Sequence, residues 1–277
     1  MTERSFEGRT AIMSGGSRGI GLAIALAIAE RGGNLVLLAK TDTPDPRLPG
    51  TIHTAVAEII AAGGAAVAVV GDVRNDDDIA NAAQTAVDRF GGIDIVVNNA
   101  SVLNLAKTID LPMKRFDLMQ QVNVRGTFAL TQACLPHLVE SPNPHVLTLS
   151  PPLNMSQKWL GEHPGYMLAK YGMTLATLGF AAEFAHVPIS SNCLWPQSTI
   201  ATAAVENLLG GKAGVAHSRS PQIMADAAVA ILDRKQGEVN GRTLIDIEVL
   251  AESGVTDLGP YGGEVPISLD IFVDPTP

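Results

Sequence analysis

Residues 10–14, Thr-Ala-Ile-Met-Ser, read as a short buried strand that runs straight into Gly15-Gly16-Ser17-Arg18-Gly19-Ile20-Gly21 and then into the apolar stretch 22–29. Few folds accept a strand, a tight glycine turn and a helix in that order. Glycines let a backbone come close to a pyrophosphate, and a helix start offers free N–H groups and a positive dipole end. The spacing is Gly-x-x-x-Gly-x-Gly, and its flanking strand and helix supply the context that a nucleotide loop requires.

Strand-like runs recur at 10–14, 35–39, 66–70, 93–98, 146–150, 190–194 and 244–247. Helical patterns lie between them at about 19–31, 51–62, 76–90, 114–140, 164–185 and 221–234. This alternation predicts an α/β fold: a single-domain, Rossmann-type, doubly wound parallel sheet of about seven strands with helices on both faces. A ligand is expected across the carboxyl ends of the strands, and the glycine turn lies at such an end. Residues 1–250 are assigned to this domain and 251–277 to a C-terminal extension. In the extension Ile267, Leu269, Ile271 and Val273 alternate with Ser268, Asp270, Phe272 and Asp274. That period of two predicts a half-buried strand on a sheet edge, on this or another subunit.

Bulk composition narrows the function. The 277 residues carry a net charge of −9 and no Lys/Arg cluster, which argues against a nucleic-acid partner. The apolar runs are short, so no membrane span is expected, and the first nine residues lack a secretory core. Cys134 and Cys193 sit in apolar runs and read as reduced core residues of a cytoplasmic protein. The six histidines show no ligand spacing, so no metal is expected.

Tyr166 and Lys170 stand one helical turn apart and project from one face. An ammonium beside a phenol favours the phenolate and lowers a pKa that is ordinarily about 10. Tyr166 is thereby expected to act as an acid/base near neutral pH. Tyr171 has Leu175 in the corresponding place and no cation.

These pieces stand in the order found in the short-chain dehydrogenase/reductase family, which the chain resembles over about residues 6–250. The matching residues are Gly15, Gly19 and Gly21; Asp72 and Val73; Asn98-Asn99-Ala100-Ser101; Asn123; Tyr166 and Lys170; and Pro196-Gln197-Ser198-Thr199. Within the family it looks most like the hydroxysteroid-dehydrogenase-like branch, on Ala39-Lys40-Thr41, Leu149-Ser150-Pro151-Pro152-Leu153-Asn154 and Ala169-Lys170-Tyr171-Gly172. Some animal members of that branch carry a C-terminal sterol-carrier domain, for which this sequence is expected to leave no room. The resemblance implies an oxidoreductase that moves a hydride between nicotinamide C4 and a carbonyl or alcohol carbon. It implies that Tyr166 exchanges the proton while Lys170 holds the phenolate and the nicotinamide ribose. Asn123, by the same resemblance, holds a water that links Lys170 to solvent. It further implies that Asp72 and Val73 flank the adenine, that Asn99, Ala100 and Ser101 contact cofactor or tie the sheet edge, and that Pro196 and Thr199 belong to the cofactor site. Dimers or tetramers built on the long helices are implied as well.

Lys40 ends the second strand, where NAD-selective folds place an acidic residue. A cation there suits a 2′-phosphate, and Arg18 adds a second, so NADP(H) is preferred with NAD(H) as the alternative. Asp42 nearby is a rival acceptor for ribose hydroxyls, and the proline-rich loop 41–50 is long enough to close over the adenosine end. The pattern departs at the family's serine: position 153 is Leu, and the strand closes with Ser150-Pro151-Pro152. Ser150 is the first candidate to polarise the substrate oxygen, followed by Asn154 and Ser156. Residues 153–165, with Met155, Trp159 and Leu160, and 197–218, with Ile200, Val205, Leu208 and Leu209, are expected to wall a lipophilic small-molecule site. The alternative to an enzyme is a sensor or scaffold that binds NADP(H) on the same fold without chemistry.

Overall fold

The computed structural model describes residues 4–45, 48–187, 189–208 and 210–275. Leu209, expected in a substrate wall, lies outside the described residues. Among the described residues there are seven strands: β1 (Thr10–Ser14), β2 (Asn34–Ala39), β3 (Ala65–Val70), β4 (Ile95–Asn98), β5 (His145–Leu149), β6 (Ser190–Trp195) and β7 (Thr243–Ile245). They form one sheet in the order β3-β2-β1-β4-β5-β6-β7, and every neighbouring pair is parallel. Chain direction reverses its march across the sheet between β1 and β4, the switch point at which such sheets bind ligands.

The helices are α1 (Gly19–Ala29), α2 (Ile52–Ala61), α3 (Asp76–Phe90), α4 (Met113–Met119), α5 (Gly126–Leu138), α6 (Gln157–Glu162), α7 (Pro164–Glu183), α8 (Ala203–Leu208), α9 (Gly211–Ala216), α10 (Gln222–Leu232) and α11 (Asp246–Glu252). The period of two in the strands divides the core. On β2, Leu35 and Leu37 join the cluster that holds Ile24 and Ile28 of α1 and Met224 of α10. Val36 and Leu38 face the opposite cluster, with Ile79 of α3 and Leu130 and Cys134 of α5. Burying both faces is what a parallel sheet requires. Cys134 and Cys193 are buried free thiols, as expected. Local signals fix the ends of α3. Asn75 Oδ1 accepts from the N–H groups of Asp77 (2.8 Å) and Asp78 (3.4 Å), and Gly91 closes the helix with φ 89°. Such a cap contributes about 1 kcal/mol.

Three expectations change. The helix expected at 114–140 is α4 and α5 joined by a π-helical turn, Gln120–Arg125. The strand expected at 244–247 stops at Ile245, because Asp246 opens α11 and its carboxylate accepts from Gln197 N (2.9 Å). Among the described residues of this chain the C-terminal segment adds no strand to the sheet. It makes one isolated bridge, Leu269 to Ser198, and then turns at Ile271 and Phe272. Phe272 has φ 72°, so the expected alternation breaks: Phe272 is 2% exposed and Leu269 41%. The segment lies over the carboxyl ends of the strands instead of beside the sheet.

Candidate active site

The glycine loop meets the end of β4 without space for side chains. A Cβ on Gly15 would lie 2.9 Å from Ala100 Cα, and one on Gly21 would lie 2.5 Å from Asn99 Nδ2. Asn99 uses the room: its amide donates to Ser14 O (3.1 Å) and Gly15 O (2.9 Å), while Ser14 Oγ accepts from the N–H groups of Asn99 and Ala100. Gly19, with φ 56°, opens α1, and Arg18 before it gives no side-chain cap. Unsatisfied N–H groups therefore face a cavity of about 1030 Å³.

That cavity runs from the glycine loop to Tyr166. Gly15, Ser17, Arg18, Gly19, Ile20, Gly21, Lys40, Asp72, Val73, Asn99, Ala100, Ser101, Tyr166, Lys170 and Pro196 all line it. Arg18 is clasped by the 41–50 loop, donating to Pro49 O (3.0 Å) and Gly50 O (2.9 Å). Lys40 Nζ lies 3.5 Å from Asp72 Oδ2 with its side chain 60% exposed. Asp72 is held down to about 2, chiefly by its hydrogen bonds from Arg74, against the opposing effect of burial. Asp42 pairs with His53 at 2.7 Å.

Tyr166 and Lys170 both project from α7 into the inner end of the cavity. Lys170 Nζ donates to Leu149 O (2.8 Å) and lies 5.0 Å from the centroid of the Trp195 ring. Burial lowers its pKa to about 7, opposed by Asp270. The Ser101 side chain stands close to the Tyr166 phenol. The phenol's pKa is pushed up, not down as expected: burial is the largest cause, the carboxylate of Asp270 adds to it, and the nearby Ser101 side chain opposes both. The ammonium one turn along is turned to the Leu149 carbonyl and is not among the causes.

A family model described as short chain dehydrogenase matches residues 9–238. The chain belongs to that family. A Danio rerio protein named hydroxysteroid dehydrogenase-like protein 2 is 47% identical over 272 residues, 98% of this chain. The chain spans 65% of that relative's length. A short-chain dehydrogenase from Mycobacterium thermoresistibile has a crystal structure that superposes with a TM-score of 0.92 at 51% identity, covering 97% of this chain and 96% of the other. Two more distant structures share the fold. Carveol dehydrogenase from Mycobacterium avium was solved with NAD (TM-score 0.73, 19% identity, 86% of this chain and 96% of the other). A metagenomic short-chain oxidoreductase was solved with NADP (TM-score 0.70, 23% identity, 87% and 97%). The family is one of oxidoreductases.

Several site residues of this short-chain dehydrogenase lie elsewhere than expected. Ser150 is fully buried, off the cavity, with its Oγ against the Cys193 thiol and no well-formed hydrogen bond. Its hydroxyl is buried in the core. Asn154 is engaged by the C-terminal segment, donating to Asp274 Oδ2 (2.7 Å). Thr199 faces Ser218 (2.7 Å) and the backbone of Ser268, and Thr202 lines the cavity beside Gly19 in its place. Asn123 is buried in the π-turn. Its Oδ1 accepts from Val102 N (2.7 Å) and its Nδ2 donates to Val102 O (3.1 Å), so it clamps the chain next to Ser101. Met155 is exposed, whereas Ile200, Val205 and Leu208 line the cavity. Sequence reasoning placed Ser101 among cofactor contacts and missed its closeness to Tyr166. Asp270 and Phe272 were missed altogether, although an acidic residue within an apolar C-terminal run was a visible signal.

Proposed function

We propose that this short-chain dehydrogenase interconverts a carbonyl and an alcohol on a lipophilic small molecule, with NADP(H) preferred over NAD(H). The observation that carries the reading is that the glycine loop and the Tyr166 phenol open into one cavity. The residues present fit a dinucleotide: Gly15 and Gly21 leave a surface free of side chains, and the α1 N-terminus faces it. In this reading Lys40 and Arg18 would hold a 2′-phosphate, Asp72 and Val73 would flank the adenine, and Lys170 and Pro196 would hold the nicotinamide end; all six line the cavity. When bound, the nicotinamide supplies or accepts the hydride.

The chain's own part is to hold and move one proton. Tyr166 gives its phenolic proton to the carbonyl oxygen in reduction and takes it back in oxidation. Ser101 orients that phenol and offers a hydroxyl to the substrate oxygen, the task that Ser150 cannot perform from the core. Asn123 positions Ser101 through Val102. Apolar residues of 200–208 exclude water from the reacting carbon. A screen of aldehydes, ketones and alcohols, read by absorbance of the reduced cofactor, tests the reading. Turnover that disappears in Tyr166→Phe while NADPH still binds supports it; turnover that survives refutes it.

A further inference from the structure

The C-terminal segment packs Phe272 against the ring of Tyr166 at one end of the cavity. Around Phe272 stand Tyr171, Trp159, Tyr166 and Trp195, with ring centroids 5.1, 5.8, 6.0 and 6.4 Å away. The Phe272 and Tyr166 planes differ by only 22°, a stacked pair. Among the described residues, Phe272 is also the one non-glycine residue in the left-handed region. A bulky side chain stays there only while its surroundings hold it.

The fastenings lie at the margin of the box. Asp274 accepts from Asn154 Nδ2 (2.7 Å) and Trp159 Nε1 (3.0 Å), and its side chain is half exposed. Ile271 O accepts from Trp195 Nε1 (2.9 Å). With the segment seated, Tyr166 is 6% exposed, yet a proton donor must come within hydrogen-bond reach of the substrate oxygen. Asp270 and Ile271 line the same cavity as the glycine loop. The segment thus borders the cavity at the phenol, with the Phe272 ring laid on the Tyr166 ring.

We propose that Phe272 sits in the seat of the substrate's own apolar group, so that segment 268–274 and substrate compete for one aromatic box. The box selects carbonyls and alcohols that carry a flat apolar group beside the reacting carbon. This inference rests on the carbonyl/alcohol reading above. Competition lowers apparent affinity by the fraction of molecules whose segment is unseated, and loosening the segment raises that fraction.

The test compares the full chain with Phe272→Ala and Asp274→Ala, using benzaldehyde and butanal with NADPH. Benzyl alcohol binding is followed in parallel by fluorescence of Trp159 and Trp195, the chain's 2 tryptophans. Both variants should lower the KM for benzaldehyde and the Kd for benzyl alcohol by about tenfold, and move the KM for butanal less than about twofold. Unchanged or raised values for both aromatic ligands in folded variants overturn the proposal. Tighter benzyl alcohol binding without turnover of any aldehyde upholds the box and sinks the reaction assignment. Turnover of benzaldehyde with one KM in all three proteins upholds the reaction and makes Phe272 a fixed wall. Should Phe272→Ala fail to fold, Asp274→Ala, altered only at the rim, decides by the same readings.

Discussion

The Ser101 side chain, just past the end of β4, stands beside the phenol of Tyr166 on α7. The serine that closes the neighbouring strand, Ser150, is turned away from both. Ser101→Ala should therefore lower kcat by about 10- to 100-fold, the loss expected for one hydrogen bond at a reacting oxygen. Ser101→Thr should restore part of it, and Ser150→Ala should keep kcat within about twofold. Steady-state kinetics on the three variants decide, and a larger loss for Ser150→Ala would reverse the assignment.

The pH profile should report Asp270. Burial and that carboxylate keep the Tyr166 phenol protonated through the neutral range, so reduction retains its proton donor while oxidation gains base as pH rises. Asp270 itself is raised to about 7, mainly by burial, with Lys170 opposing and Asp246 reinforcing. Its negative charge therefore acts on the phenol mostly above pH 7. Removing that charge in Asp270→Asn favours the phenolate, so the rising limb of alcohol oxidation should move to lower pH by roughly one unit. A limb that stays in place or moves to higher pH contradicts the geometry.

Gly21 should tolerate no side chain. Its Cβ would displace Asn99, whose amide ties β4 to the glycine loop. Gly21→Ala is expected to cost about 1–3 kcal/mol and to weaken NADPH binding, seen by thermal melts and titration. Gly161→Ala on α6, where a Cβ meets nothing within 4 Å, should be neutral or slightly stabilising.

Cofactor choice should follow Lys40. Lys40→Ala is expected to raise the KM for NADPH by about five- to tenfold and leave that for NADH nearly unchanged. Equal effects on both would mean that Lys40 serves only Asp72.

Local pattern carried the sheet, the long helices and most of the residues that line the cavity, because strand period, glycine spacing and helix caps are written into neighbouring residues. What failed depended on direction. Whether Ser101 or Ser150 reaches the phenol is decided by how each strand end turns, and one of them, Ser150, is buried in the core. Whether Lys170 answers to Tyr166 is decided by Leu149 O, a backbone atom from another element. The C-terminal segment misled because one left-handed residue, Phe272, exchanges the two sides of an otherwise regular alternation.

The turn Gln120–Arg125 holds one residue more than an ordinary helix accommodates. Excising any single residue there would let α4 and α5 fuse and rotate Asn123 by roughly 100°. Val102 would lose its clasp and Ser101 its footing. Along this stretch the protein counts its residues, and a change of length should do more harm than any exchange of side chains.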